Sequence, residues 1–148
     1  MVCLGNICRS PLAHGILKAK IKKRNLDWEV DSAGTSSWHA GNLPDSRSIE
    51  IAYSNGIDIT DQRSRPIVAA DLEFFDLIVA MDSANYNDIC AIAKNEAEKN
   101  KVKLLLNYAY PSENRAVPDP YYHGGFQSVY DMIELSIDEM LKKYNKID

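Results

Sequence analysis

The feature that most constrains this sequence is an alternation: short runs of β-type apolar residues are followed by longer stretches with helical apolar spacing. That order is the pattern of an open α/β sheet. Leu77-Ile78-Val79-Ala80-Met81 is continuously apolar, as expected of a strand covered on both faces. Residues 28–33 and 102–106 also read as strands, Met1-Val2 as what remains of another, and residues 3–9 as a loop. Helices are expected over residues 10–24, with Ser10 as N-cap and Pro11 as first helical residue, and from Asp45 or Ser46 to the stop at Asn55-Gly56. Further helices are expected over residues 69–75, 83–99 and 126–144. In the last of these, Phe126, Val129, Tyr130, Ile133, Ile137, Met140, Leu141 and Tyr144 form one apolar stripe, which we read as core. The expectation is an α/β chain of one domain over residues 1–148: a three-layer fold with a four-stranded parallel sheet flanked by helices, and any site at the carboxyl ends of the strands.

Composition narrows the function. Lys and Arg number 17 against 21 Asp and Glu, and a net charge of -4 disfavours a nucleic-acid partner. No apolar run reaches the length of a membrane span, and no signal peptide is evident, so a cytoplasmic protein with no membrane partner is expected. The three cysteines, Cys3, Cys8 and Cys90, are an odd count that favours thiol chemistry over a disulfide framework. Cys90 reads as a packing residue. His14, His39 and His123 have no zinc-site spacing, so no metal or other cofactor is expected.

The stretch Cys3-Leu4-Gly5-Asn6-Ile7-Cys8-Arg9-Ser10 lies between a strand end and a helix start. A loop there can aim its amides at one centre, the helix N-terminus adds partial positive charge, and Gly5 permits close approach. Arg9 can grip two oxygens of a tetrahedral oxyanion, and the field favours the thiolate of Cys3, the nucleophilic form. A cysteine with an arginine six positions on is weak by itself: with six arginines and three cysteines it arises by accident in about one such chain in eight.

The whole segment Cys-Leu-Gly-Asn-Ile-Cys-Arg-Ser-Pro, however, resembles the phosphate-binding loop of the low-molecular-weight protein tyrosine phosphatases. Asp31-Ser32-Ala33-Gly34-Thr35, Trp38, Gly56-Ile57-Asp58, Arg63-Ser64-Arg65, the run from Asp76 to Asp82, and Pro118-Asp119-Pro120-Tyr121-Tyr122 resemble later family segments in order. The resemblance spans almost the whole chain. It implies that Leu4, Gly5, Asn6, Ile7, Cys8, Arg9 and Ser10 bind phosphate, that Cys3 attacks phosphorus, and that Asp119 is the general acid and then base. It implies that Ser10 hydrogen-bonds the thiolate and that Asn6 braces the loop in a left-handed conformation, with Ser32 as a partner. Leu4, Ile7, Trp38 and Tyr121 would wall in a phenyl ring, and Cys8 would be a second thiol that pairs reversibly with Cys3. Relatives that favour phosphoarginine place Thr where Ile7 stands, so phosphotyrosine proteins or small aryl phosphates are the expected partners, with phosphate and vanadate as inhibitors and a monomeric state.

Two rivals remain at this level. A thioredoxin-coupled arsenate reductase shares the fold and loop but needs two further relay cysteines; Asp82 stands where one would be expected, and only Cys90 follows. A non-catalytic oxyanion-binding regulator would keep the loop without turnover. Relatives also carry several apolar residues before the nucleophile, whereas Met1-Val2 precede Cys3 here. The first strand is therefore expected to be truncated at its N-terminus, with an intact protein a few residues longer.

Overall fold

The computed structural model describes residues 1–145, without the side chain of Asn145. Four strands form one sheet: β1 (Val2–Cys3), β2 (Ala33–Gly34), β3 (Ile78–Ala80) and β4 (Val102–Leu104). Their spatial order is β2-β1-β3-β4 and all neighbours are parallel. Parallel neighbours need crossovers, which α1 (Arg9–Arg24), α2 (Ser46–Ser54), α3 (Ala69–Phe74), α4 (Ser83–Ile92) and α5 (Glu96–Lys99) provide, while α6 (Phe126–Asn145) closes the fold.

Two apolar clusters lie on the sheet. One joins α1, α2 and α6 through residues such as Leu12, Ile16, Ile133, Ile137 and Leu141; the other joins α3 and α4 to β3 and β4 through Leu72, Ile78, Ile89 and Val102. The α6 stripe is core as expected, with Val129, Tyr130, Ile133, Ile137, Met140 and Leu141 buried. This arrangement is the three-layer α/β fold. The chain leaves β1 toward β2 on one side and reaches β3 on the other, so the carboxyl end of β1 lies at the switch point of the sheet.

Several expected boundaries shift. The strand expected over residues 28–33 is reduced to Ala33–Gly34, where Val2 pairs with Ala33 and Cys3 with Gly34. The N-cap of α1 is Cys8 rather than Ser10, since the Ser10 hydroxyl is taken up by Cys3 and Asn6. The helix expected over residues 83–99 is broken. Ala93 is extended, Asn95 caps α5 by accepting from the Glu98 amide, and Glu98 reaches back to accept from the Lys94 amide. β4 ends at Leu104, and Leu105–Asn107 turns as a 3-10 helix. Cys90 is half-buried beside the second cluster, less enclosed than a core cysteine.

Candidate active site

The loop between β1 and α1 is shaped by where its carbonyls go. Cys3 O accepts from the Thr35 amide, Leu4 O from the amide and hydroxyl of Ser36, Gly5 O from the Ser64 hydroxyl, and Ile7 O from the Asp45 amide. Cys8 O accepts from the Leu12 amide and the Ser48 hydroxyl. With the carbonyls turned outward, the amides of residues 4–8 are left with no backbone acceptor among the described residues. Such a nest of N–H groups at a helix N-terminus can hold an anion.

Asn6 makes the turn possible. Its φ is 55°, in the left-handed region that asparagine tolerates better than most residues. Its amide nitrogen donates to Ser10 Oγ at 2.7 Å, and its side-chain oxygen accepts from the Arg65 amide at 3.1 Å. Ser32 is not its partner: the Ser32 hydroxyl instead lies 3.0 Å from His14 Nδ1, because His14 stands one helical turn beyond Ser10. Gly34 is required by close approach. A Cβ there would come within 2.8 Å of Leu4 O and 3.2 Å of Asn6 Cβ.

Cys3 Sγ lies 3.1 Å from Ser10 Oγ, and both residues are buried. Arg9 is only 3% exposed. Its guanidinium donates to Asp82 Oδ2 at 2.7 Å and to Val117 O at 3.0 Å, and comes within 3.7 Å of Asp119 Oδ2. Asp119 is exposed at the mouth, with its other oxygen accepting from the Tyr121 amide. The long loop before α6 reaches the site through Val117, whose amide donates to Met81 O at the end of β3. Leu4, Trp38 and Tyr121 are exposed and Ile7 is 9% exposed; the Tyr121 ring lies 6.5 Å from that of His39, which stands beside Gly5.

Burial pushes the Cys8 thiol up to about 12, with the negative groups at Asp45, Cys3 and Asp119 adding to the effect and the Ser48 hydroxyl opposing it. Cys8 is therefore a thiol at neutral pH and no rival nucleophile. Among the described residues no group of His, Cys, Asp and Glu is arranged to hold a metal ion. None of their helices is long and apolar enough to cross a membrane.

Sequence reasoning did not assign several contributors: Asp82 and Val117 on Arg9, Ser64 and Ser36 on the loop carbonyls, and the Arg65 amide on Asn6. A signal existed for Asp82, an acidic residue directly after an apolar strand and so at the carboxyl end of the sheet. Val117 and Arg65 act through backbone groups, whereas Ser36 and Ser64 donate their hydroxyls to loop carbonyls; Ser64 and Arg65 lie in the Arg63-Ser64-Arg65 segment, to which sequence reasoning gave no role.

An α/β sheet with a cysteine and a buried arginine bracketing an anion-binding loop at its switch point defines a phosphatase-like class of protein. Comparison fixes the family. Residues 1–147 match the family described as low molecular weight phosphotyrosine protein phosphatase, and the chain belongs to it. A low molecular weight phosphotyrosine protein phosphatase of Schizosaccharomyces pombe is 42% identical, over 87% of this chain and 85% of that protein. A crystal structure of a protein tyrosine phosphatase from Entamoeba histolytica, with Hepes in its active site, superposes with a TM-score of 0.91 at 38% identity and covers 98% of this chain and 94% of that one. A Drosophila arginine phosphatase also gives a TM-score of 0.91 at 38% identity, covering 99% and 97% of the two chains. The enzyme class is thus hydrolase, of the protein-tyrosine-phosphatase type.

Proposed function

We propose that the chain hydrolyses phosphotyrosine and other aryl phosphate monoesters through a phosphocysteine on Cys3. The supporting observation is the buried Arg9 guanidinium, anchored by Asp82 and Val117 and directed to a mouth that Asp119 borders, beside the loop that Cys3 heads. The thiolate of Cys3 attacks phosphorus in line as the ester oxygen leaves. Arg9 and the amides of residues 4–8 stabilise the equatorial oxygens, and the Ser10 hydroxyl holds the thiolate between turnovers. Asp119 gives its proton to the leaving phenolate, then as carboxylate takes one from the water that cleaves the S–P bond and releases phosphate.

Leu4, Trp38 and Tyr121 would flank the ring, with Ile7 as an apolar edge, and this favours an aryl ester over a short alkyl one. Cys8 would close a disulfide with Cys3 after peroxide converts the thiolate to a sulfenic acid, releasing water. Since burial keeps Cys8 protonated, that closure should quicken as pH rises.

The test is hydrolysis of an aryl phosphate and a phosphotyrosyl peptide by the wild type, Cys3→Ser and Asp119→Ala. Cys3→Ser should be inactive yet still bind phosphate or vanadate. Asp119→Ala should lose about 10²- to 10⁴-fold in kcat with little change in phosphate affinity. Binding without turnover in the wild type would make the chain an oxyanion-binding regulator, and thioredoxin-dependent arsenate reduction surviving Asp119→Ala would make it a reductase. Preference for phosphoarginine over the aryl esters would overturn the assignment of the rim.

A further inference from the structure

The loop that carries Asp119 is tied to the fold at its ends and hardly between them. Val117 holds one end, through Met81 O and the Arg9 guanidinium, and α6 starts at Phe126 on the other. Just before α6, Gly124 and Gly125 both have left-handed backbones, with φ of 73° and 81°, where a residue without Cβ imposes no preference of its own. Two hydrogen bonds inside the loop, from the Tyr121 amide to Asp119 Oδ1 and from the Gly124 amide to Pro120 O, fix its shape. Among the described residues, however, no hydrogen bond joins residues 118–123 to another part of the chain. Asp119 comes no nearer to Arg9 than 3.7 Å. Internal bonds therefore set the shape of the loop without setting where it stands over the phosphate loop.

Arg47 supplies the missing tie. Its Nε and Nη2 donate to the two carboxylate oxygens of Asp45, each at 3.0 Å, and its amide donates to Asp45 Oδ1 at 2.9 Å. Asp45 is itself fixed, because its amide donates to Ile7 O in the phosphate loop and its carboxylate caps α2. The hydrogen bonds from Arg47 hold the Asp45 carboxyl below its ordinary range, so the pair stays ionised at neutral pH. Such a fork keeps a long side chain in one geometry. The guanidinium so held faces two rings, that of Phe126 with its centroid 4.7 Å from Cζ and that of Tyr121 at 5.6 Å. Phe126, expected in the core stripe of α6, is only half-buried and serves Arg47 instead. The two rings stand on either side of Gly124-Gly125, so one cation spans the freest part of the backbone.

We propose that Arg47 is a positioning residue for the general acid: seated on Asp45, it grips Tyr121 and Phe126 and so holds Asp119 in place over the phosphate loop. The proposal rests on the catalytic reading of Asp119, through which Arg47 would act. A cation over a partly exposed ring is a modest contact, so its loss should slow the proton-dependent step without abolishing turnover.

The test compares two aryl phosphates by kcat/KM, which reports the first phosphoryl transfer. Phenyl phosphate needs a proton on its leaving oxygen, whereas dinitrophenyl phosphate does not. Arg47→Met keeps an apolar chain and loses both fork and charge. It should lower kcat/KM about three- to tenfold for phenyl phosphate and less than about twofold for dinitrophenyl phosphate. In an Asp119→Ala background it should change neither further. Asp45→Asn, which keeps a good cap for α2 but weakens the fork, should act in the same direction, and Arg47→Lys should recover only part of the loss. Inhibition by inorganic phosphate should stay within about twofold of wild type. Independently of turnover, the Gly124 amide should exchange at least about threefold faster in Arg47→Met. No loss on phenyl phosphate, equal losses on both substrates, a loss that persists in Asp119→Ala, or unchanged exchange at Gly124 would overturn the proposal. An inactive wild type, or an Asp119→Ala variant as active as wild type on phenyl phosphate, would overturn the catalytic reading instead, and the Gly124 exchange would then decide by itself whether Arg47 holds the loop.

Discussion

Asn6 illustrates how much one residue carries here: its left-handed backbone bends the loop while its side chain ties Ser10 to the Arg65 backbone. The two roles separate by mutation. Asn6→Gly should keep the turn and lose the ties, while Asn6→Ala should lose both and be less stable by about a further 1 kcal/mol, measured by urea unfolding. In the proposed mechanism Asp82 would act through Arg9, which it holds at 2.7 Å. Asp82→Asn weakens the 2.7 Å ion pair and should lower kcat/KM for an aryl phosphate by about ten- to a hundredfold without loss of fold. His14 gives a pH signature. Burial holds its pKa down at about 4, against an ordinary value of 6.5. Between those values the unfolded chain binds the proton that the folded chain refuses, so stability is lost as pH falls from about 6.5 toward 4. His14→Gln should flatten that slope in a pH series of urea melts; an unchanged slope would contradict it. The left-handed Asn6 and the Cys3–Ser10 contact were legible in the sequence, because each follows from a motif. The partner of Ser32 was not, because it depends on which residue of α1 rotates toward β2.

At the scale of elements, the helices were legible where amphipathic spacing ran long, as in α1 and α6, and the strands only where apolar residues ran continuously, as at β3. The break between α4 and α5 was missed because residues 83–99 keep helix-forming composition throughout; the Asn95 and Glu98 side chains, which accept from the Glu98 and Lys94 amides, start a new helix there. Asn95→Ala should therefore destabilise by about 1 kcal/mol in thermal melts, the usual cost of a lost cap. The shortening of β2 has another cause: a strand exists only where a neighbour pairs with it, and pairing is not a property of its own sequence. In the same way, the long segment before α6 gains its position from Val117, which joins the end of β3 to Arg9 and so places Asp119 at the mouth.

For the whole molecule, the sheet order puts the carboxyl end of β1 between β2 and β3, and this central position lets loops from three directions meet around the β1–α1 loop. Phosphate or vanadate should accordingly stabilise the entire fold, by about 2.7 kcal/mol at a hundred times the dissociation constant, read as a Tm rise that Arg9→Ala abolishes. The family and the architecture were both readable from the order of segments, whereas the cage of carbonyl acceptors around the loop arises only when distant parts of the chain meet. The central claim is that Cys3 carries the phosphoryl group. Acid-quenching the enzyme during turnover of an aryl phosphate and locating the phosphoryl group by peptide mass spectrometry tests it directly. The account predicts one phosphoryl group on Cys3, accumulating in Asp119→Ala with a fast-leaving phenol and absent in Cys3→Ser. Phosphate on Cys8 or another residue, or full turnover by Cys3→Ser, would contradict it.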